Sequence, residues 1–261
     1  MSETEPLVLA SEAGAVARLA LNRPRAGNSL SMALVEALRA ELARLERRDD
    51  IKVIILSGMG GRIFSAGHDL NEFAGQDDTE FLARDFAGIT ALMQAVIAQP
   101  QIIIAKVEGV ATAAGLELML ACDLALASSN ARFAVPGVNI GFWCHTPQVM
   151  LSRAVARKQA FEMLATARLY PSSHALAIGL VNAVHPPETL DRAVEDMANA
   201  IASRAGSVLR RGKRAFYRQI EQPLAAAYDM ARSEALDNIL DPDAQEGIAA
   251  FLEKRDPNWH S

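Results

Sequence analysis

The stretch that most limits how this chain can fold is residues 105–127, AKVEGVATAAGLELMLACDLALA. It continues an apolar, β-branched run over residues 102–107, which predicts a strand. A turn of small residues follows, from Gly109 through Val110, Ala111, Thr112, Ala113 and Ala114 to Gly115. Beyond it, an almost wholly apolar run holds a single carboxylate, Glu117. Side chains this small let a ligand approach the backbone. A helix starting there aims unpaired N–H groups and its positive dipole end at such a ligand. Glu117 lies three residues past Ala114, about one turn on and on the same helical face. The pattern suits a site that stabilises an oxyanion and moves a proton. It suits equally a buried helix whose one carboxylate is tied into an internal pair.

A chain of 261 residues, 51% hydrophobic and 22% charged, can bury one large core and carry a small appendage. The net charge is −5, and no block of Lys and Arg with interleaved aromatics stands out. Nucleic acid is therefore not an expected partner. The two cysteines, Cys122 and Cys144, lack metal-ligand spacing, so no metal site is expected. They read as reduced thiols of an intracellular protein. The opening MSETEPLVL has neither the basic region nor the apolar core of a leader. The longest apolar runs read as too short for a membrane span and as broken by charge. Together these readings predict a soluble cytoplasmic protein with no membrane partner.

Residues 7–10 and 15–21 predict two short strands around a Ser-Glu-Ala-Gly turn. Residues 31–48 predict an amphipathic helix, with Leu34, Leu38, Leu42 and Leu45 at helical spacing and Ser31 as its cap. Residues 51–57 form an unbroken β-branched run of the kind buried on both faces. Residues 79–98 predict a helix stopped by Gln99-Pro100. Strand, helix and strand alternate, which predicts an α/β fold with right-handed crossovers and a largely parallel sheet. From Thr146 onward the pattern is almost all helical. Helices are predicted over 148–154, 157–166, 172–178, 187–203, 207–219, 224–240 and 243–255, punctuated by Gly179, Pro186, Pro223 and Pro242. A division near Ala200 separates an α/β core, residues 1–200, from a helical part, residues 201–261. Apolar faces in that helical part favour an oligomer.

Two small-residue turns stand out: Ser65-Ala66-Gly67, after the strand at 51–57, and Ala113-Ala114-Gly115, after the strand at 102–107. In a parallel sheet both sit at carboxyl ends of strands, where ligands bind. Two N–H groups from two such turns can hold one carbonyl oxygen as it gains charge. Four groups of residues then appear in order: Asn22-Arg23-Pro24 with Asn28-Ser29-Leu30, then Phe64-Ser65-Ala66-Gly67-His68-Asp69-Leu70, then 109–117 with Cys122-Asp123, and the tail Phe251-Leu252-Glu253-Lys254-Arg255. In this order and spacing the chain resembles the crotonase (enoyl-CoA hydratase/isomerase) superfamily over nearly its whole length. Residues 111–115 and 136–141 look nearest to the branch called enoyl-CoA hydratase domain-containing protein 3.

The resemblance implies a crotonase-like ββα spiral core, a C-terminal all-helical trimerisation region, and a homotrimer or dimer of trimers. It implies an acyl-CoA substrate, hydrated or isomerised, with no cofactor besides the coenzyme A thioester itself. It places the oxyanion donors at the backbone N–H groups of Ala66 and Ala114, and the acid/base at Glu117. Arg25 and Ala26 fall near the CoA phosphates, and Gly67, His68, Asp69 and Leu70 line the first turn. Trp143 and His145 fall where the acyl pocket is lined. Phe251 and Lys254 fall where a neighbouring subunit's CoA is reached. The hydratases' second catalytic glutamate falls on Gly137, which has no proton to give. That departure leaves a non-catalytic acyl-CoA-binding protein open as the alternative.

Other residues read as structural. Asp69 and Asp123 suit bonds to backbone. Cys144 has no basic partner beside it in sequence. Arg210, Arg211, Lys213 and Arg214 read as a solvated basic face.

Overall fold

The computed structural model describes residues 5–261. A hairpin opens it: β1 (Val8–Ala13) pairs antiparallel with β2 (Val16–Leu21). From β2 the chain repeats one unit. A long strand joins a large sheet, a strand of three residues joins a small sheet, and a helix returns. The units are β3 (Val53–Gly58), β4 (Ile63–Ser65) and α2 (Thr79–Ala98); β5 (Ile102–Val107), β6 (Val110–Thr112) and α3 (Ala114–Ala121); β7 (Leu124–Ser128), β8 (Arg132–Ala134) and α4 (Pro147–Ala154). Helix α1 (Met32–Glu46) follows β2, and an isolated parallel bridge joins Leu30 to His68. This is the ββα spiral that the family resemblance implies.

The large sheet has the order β1-β2-β3-β5-β7-β10, with β10 at Ala183–His185. All neighbours beyond the hairpin are parallel. The small sheet has the order β4-β6-β8-β9, with β9 at Tyr170–Pro171. The central strands β3, β5 and β7 are covered on both faces, and this explains their apolar runs. Val53 and Ile55 of β3 meet Leu190, Val194 and Ala198 of α7 (Pro187–Ala202). Ile54 and Leu56 point the other way, toward the core that also holds Leu34, Leu38, Ile89 and Leu92. A fully buried leucine of this kind contributes about 1.5–3 kcal/mol.

Local signals set the helix ends. Ser31 Oγ accepts from Leu34 N–H, and Asp78 caps α2 through the N–H groups of Glu80 and Phe81. At 20 residues, α2 is long and apolar enough to span a membrane, contrary to the sequence reading of its apolar runs. Its apolar side serves packing instead: Ile89, Leu92, Met93 and Val96 enter the core.

Helices α5 (Arg157–Thr166) and α6 (Ser172–Ala177) lead to α7. The chain then closes with α8 (Gly206–Gln219), α9 (Leu224–Ile239) and α10 (Pro242–Glu253). The basic run on α8 is not a uniformly solvated face. Lys213 is buried, donating to the Gln101 carbonyl at 2.9 Å and to Asp123 at 2.7 Å. Asp123 also accepts from Ile103 N–H at 2.7 Å, so it ties α8 to the start of β5.

Candidate active site

The two small-residue turns meet. Both leave the carboxyl ends of small-sheet strands, β4 and β6, rather than those of β3 and β5 as the sequence reading had it. Strands of three residues carry too little periodicity to be seen in sequence, and here two of them intervene. Gly67 has φ 94° and is the point of contact. A Cβ there would lie 2.8 Å from Ala113 Cβ and 3.1 Å from Ala114 N, so only glycine fits. Across from it, Ala113 holds φ 49° and ψ −126°, a conformation that strains any residue with a Cβ.

The donors at this junction differ from those expected. The Ala66 N–H donates to the Gly27 carbonyl at 2.9 Å, so it is not free to receive an oxyanion. Among the described residues, the N–H groups of His68 and Ala114 have no acceptor. Ala114 is the first residue of α3, where an open N–H and the positive dipole end coincide. The first turn is fastened from behind. Leu30 N–H donates to the Gly67 carbonyl at 2.7 Å, and Arg23 bonds Asp69 at 2.8 Å and the Ser29 carbonyl at 2.7 Å. Asn28 accepts from Arg23 N–H and donates to the carbonyls of Met59 and Ile63. The Asn-Arg-Pro and Asn-Ser-Leu segments are therefore scaffolding for the 65–70 turn. Burial acts against ionised Asp69, but hydrogen bonds from Arg23 and Asn71 hold it below the usual carboxylate range.

A cleft of about 990 Å³ opens over the junction, lined by Ala66, His68, Ala113 and Ala114. One side of it carries a row of rings. The rings of His68, Phe73, Phe86, Phe142 and His145 form a continuous chain with centroids 5.3 to 6.2 Å apart. Glu117 sits just behind this lining, 4% exposed, beside Thr146 and Cys144, which both line the cleft. Its Oε2 has no hydrogen-bond partner. Burial pushes its carboxyl up to about 7, with Thr146 pulling the other way. A carboxyl poised there accepts and returns a proton at neutral pH.

Gly137 lines the cleft beside Cys144. Burial first, and then the charge of Glu117, push the Cys144 thiol up, while a bond with the Gly137 backbone opposes them; this thiol is not an activated nucleophile. On the opposite wall, His68 Nε2 lies 3.4 Å from Asp85 Oδ2, and neither atom has a hydrogen-bond partner. Burial pushes His68 down to about 4. Burial, with Glu72 adding to it, pushes Asp85 up to about 6. An ionised carboxylate at 3.4 Å acts on the imidazole in the opposite sense, favouring its charged form.

Of the residues singled out in the sequence, Ala26, Ala66, His68, Asp69, Leu70, Ala114 and His145 line the cleft. Gly67 and Glu117 lie immediately behind it. Arg25 is exposed on the short Pro24–Ala26 helix and does not line it. Trp143 turns away: its Nε1–H donates to Gln148 at 2.9 Å and its ring meets Phe161. Phe251 is 82% exposed on α10, and Lys254 ends that helix; neither lines the cleft of its own chain. Sequence reading missed Phe73, Phe86, Asp85 and Thr146. An acidic residue on the otherwise apolar buried face of α2 is the signal that could have marked Asp85.

The comparisons with known proteins agree with this fold. The family model for enoyl-CoA hydratase/isomerase matches residues 11–261. The mitochondrial enoyl-CoA hydratase domain-containing protein 3 of Rattus norvegicus is 41% identical over 98% of this chain and 86% of its own. Among solved structures, an enoyl-CoA hydratase of Mycobacterium smegmatis superposes with a TM-score of 0.96 at 43% identity, covering 98% of this chain and 100% of that one. Human enoyl-CoA hydratase domain-containing protein 3 superposes with a TM-score of 0.94 at 39% identity, covering 97% and 100%. The rat, mouse, zebrafish and human relatives are named mitochondrial, which overturns the cytoplasmic placement expected from the sequence. Compartment is addressed by short targeting segments, and the composition of a folded body carries no such address.

Proposed function

Because the chain belongs to the enoyl-CoA hydratase/isomerase family, we propose that it is an acyl-CoA enzyme, in the first place a 2-enoyl-CoA hydratase, that is, a hydro-lyase. The thioester carbonyl docks on the N–H groups of His68 and Ala114. Glu117 takes a proton from water as the hydroxyl adds to C3. The π electrons move onto the thioester oxygen, where each preorganised donor supplies about 3 kcal/mol of transition-state stabilisation. The reaction calls on no cofactor besides the CoA carried by the substrate.

One observation carries this reading. A buried carboxyl with an unpartnered oxygen and a proton affinity near neutrality stands one helical turn from an open N–H. The test is loss of the conjugated enoyl-thioester absorbance when purified protein meets crotonyl-CoA and a series of longer 2-enoyl-CoA thioesters. Consumption of any of them supports the hydratase reading. Tight binding without consumption supports a second one, an acyl-CoA binder with little turnover. Gly137 is the observation that favours this second reading. A one-carboxylate shift of the double bond is a further variant, weakened because the family's isomerases usually place their base at the Gly137 position.

The same proposal includes the assembly. Helix α9 has no buried residue, and Leu224, Tyr228, Leu236 and Leu240 stand exposed along or just beyond it. Such a face favours burial against other copies, as a trimer or dimer of trimers, with residues 201–261 as the oligomerising part. Phe251 and Lys254, remote from their own cleft, would then serve a neighbour's.

A further inference from the structure

We propose that His68, held by Asp85, is the group that moves the proton at C2 of the acyl thioester, the task for which this chain has no second carboxylate; the inference rests on the acyl-CoA reading above. Four observations meet in this pair. The backbone N–H of His68 has no acceptor among the described residues and its ring lines the same cleft, so one residue can serve both the carbonyl of a docked thioester and the adjoining carbon. Its Nε2 is enclosed and faces Asp85 at 3.4 Å. Its other nitrogen, Nδ1, has no hydrogen-bond partner among the described residues, is not enclosed, and belongs to a ring that lines the cleft. Asp85, 3% exposed, has an orphaned oxygen, Oδ2, whose nearby basic group is this ring nitrogen.

The ring packs in a three-ring cluster with Phe73 and Phe86, tilted against each at centroid distances of 5.3 and 5.4 Å, which limits its rotation. A buried carboxylate behind a fixed imidazole selects the tautomer with the proton on Nε2 and leaves Nδ1 as the base. This is a costly arrangement for a merely structural pair, since neither polar atom gains a well-formed hydrogen bond in return for its desolvation.

In the direction of enolisation, Nδ1 takes the proton from C2. The C2–H electron pair moves into the C1–C2 bond, and the carbonyl π pair moves onto the thioester oxygen at the N–H groups of His68 and Ala114. The imidazolium so formed is held by the Asp85 carboxylate. In hydration the sequence runs in reverse, from the form with Glu117 ionised and His68 protonated on both nitrogens: Glu117 accepts the proton of water as the C3–O bond forms, and Nδ1–H gives its proton to C2. Water in the cleft then carries the proton of Glu117 back to Nδ1. His68 is thus a catalytic residue and Asp85 a positioning residue.

The test uses butyryl-CoA, a saturated thioester on which only the C2 proton can be exchanged. Incorporation of deuterium at C2 from heavy water is followed by mass spectrometry, and binding by calorimetry. The wild type is expected to exchange. His68→Gln, which keeps the backbone N–H, is expected to lose at least about 100-fold in exchange rate with binding within about threefold. Glu117→Gln is expected to lose less than tenfold. Asp85→Asn should lower the exchange rate constant about tenfold with little change in the half-saturating thioester concentration, and Asp85→Glu should recover part of it. If His68→Gln folds poorly, His68→Ala rescued by added imidazole serves instead, because restored exchange demands a proton carrier and not a packing role. Exchange by His68→Gln within threefold of wild type would overturn the proposal. So would binding without exchange by the wild type, which would leave the acyl-CoA reading intact. Absence of binding would sink that reading, and this inference with it.

Discussion

The Cβ that Gly137 lacks would lie 2.3 Å from the Phe142 carbonyl oxygen and 2.9 Å from Cys144 Sγ. The position of the family's second glutamate is therefore closed, not merely vacated. The Phe142 N–H donates back to the Gly137 carbonyl at 3.0 Å, so the clashing oxygen belongs to a segment that cannot simply swing aside. Gly137→Glu should not install a working second carboxylate. Gly137→Ala alone should cost about 1–3 kcal/mol through overpacking. Denaturant unfolding of both variants, with crotonyl-CoA turnover alongside, checks this. A stable, faster Gly137→Glu enzyme would refute it.

Glu117 should couple stability to pH in a direction opposite to that of an ordinary surface carboxylate. Its folded value, about 7, lies above its unfolded one of 4.5. The native state therefore binds more protons between these values, and stability is present below the lower value and lost as pH rises through the upper one. The unfolding midpoint of the wild type should fall between about pH 5 and pH 8 relative to that of Glu117→Gln. Parallel curves for the two proteins would contradict the burial argument.

Ala113 should be improvable. Its φ of 49° with ψ −126° costs on the order of 1–3 kcal/mol. Glycine relieves that strain and gives back about 0.4–1 kcal/mol through the freer unfolded chain. Relief wins, so Ala113→Gly should stabilise by roughly 1 kcal/mol. Gly67→Ala should do the reverse, because its Cβ would strike Ala113 and its φ is 94°. Thermal or chemical unfolding of the two variants decides both.

The exposed face of α9 sets a prediction about assembly. Leu240, 72% exposed, and Leu236 should be buried between copies. Sedimentation at micromolar concentration should give a trimer or hexamer for the wild type and a smaller species for Leu236→Asp with Leu240→Asp. A wild-type monomer would remove the oligomer from the account.

The long elements were legible because they repeat. The leucines of α1 at helical spacing, the 20 residues of α2 ending before Pro100, and the β-branched run of β5 all form as the sequence predicts. The small sheet was not legible, because β4, β6 and β8 have three residues each and β9 has two. The misassignment of Ala66 has the same root. Whether its N–H is free depends on the Gly27 carbonyl, far back in the chain, and no local pattern reports that. Trp143 looked like a pocket residue by position, but its indole N–H found Gln148 five residues on and left the cleft to Phe142 and His145. Asp85 and His68 stand on different elements, and only the fold brings them within 3.4 Å.

The most direct test of the account measures crotonyl-CoA hydration and butyryl-CoA binding together, for the wild type and Glu117→Gln. The account predicts turnover by the wild type and a loss of about 10²–10⁴-fold in Glu117→Gln, with binding preserved. Equal turnover by the two proteins would contradict it, because the proton would then pass through some group other than Glu117.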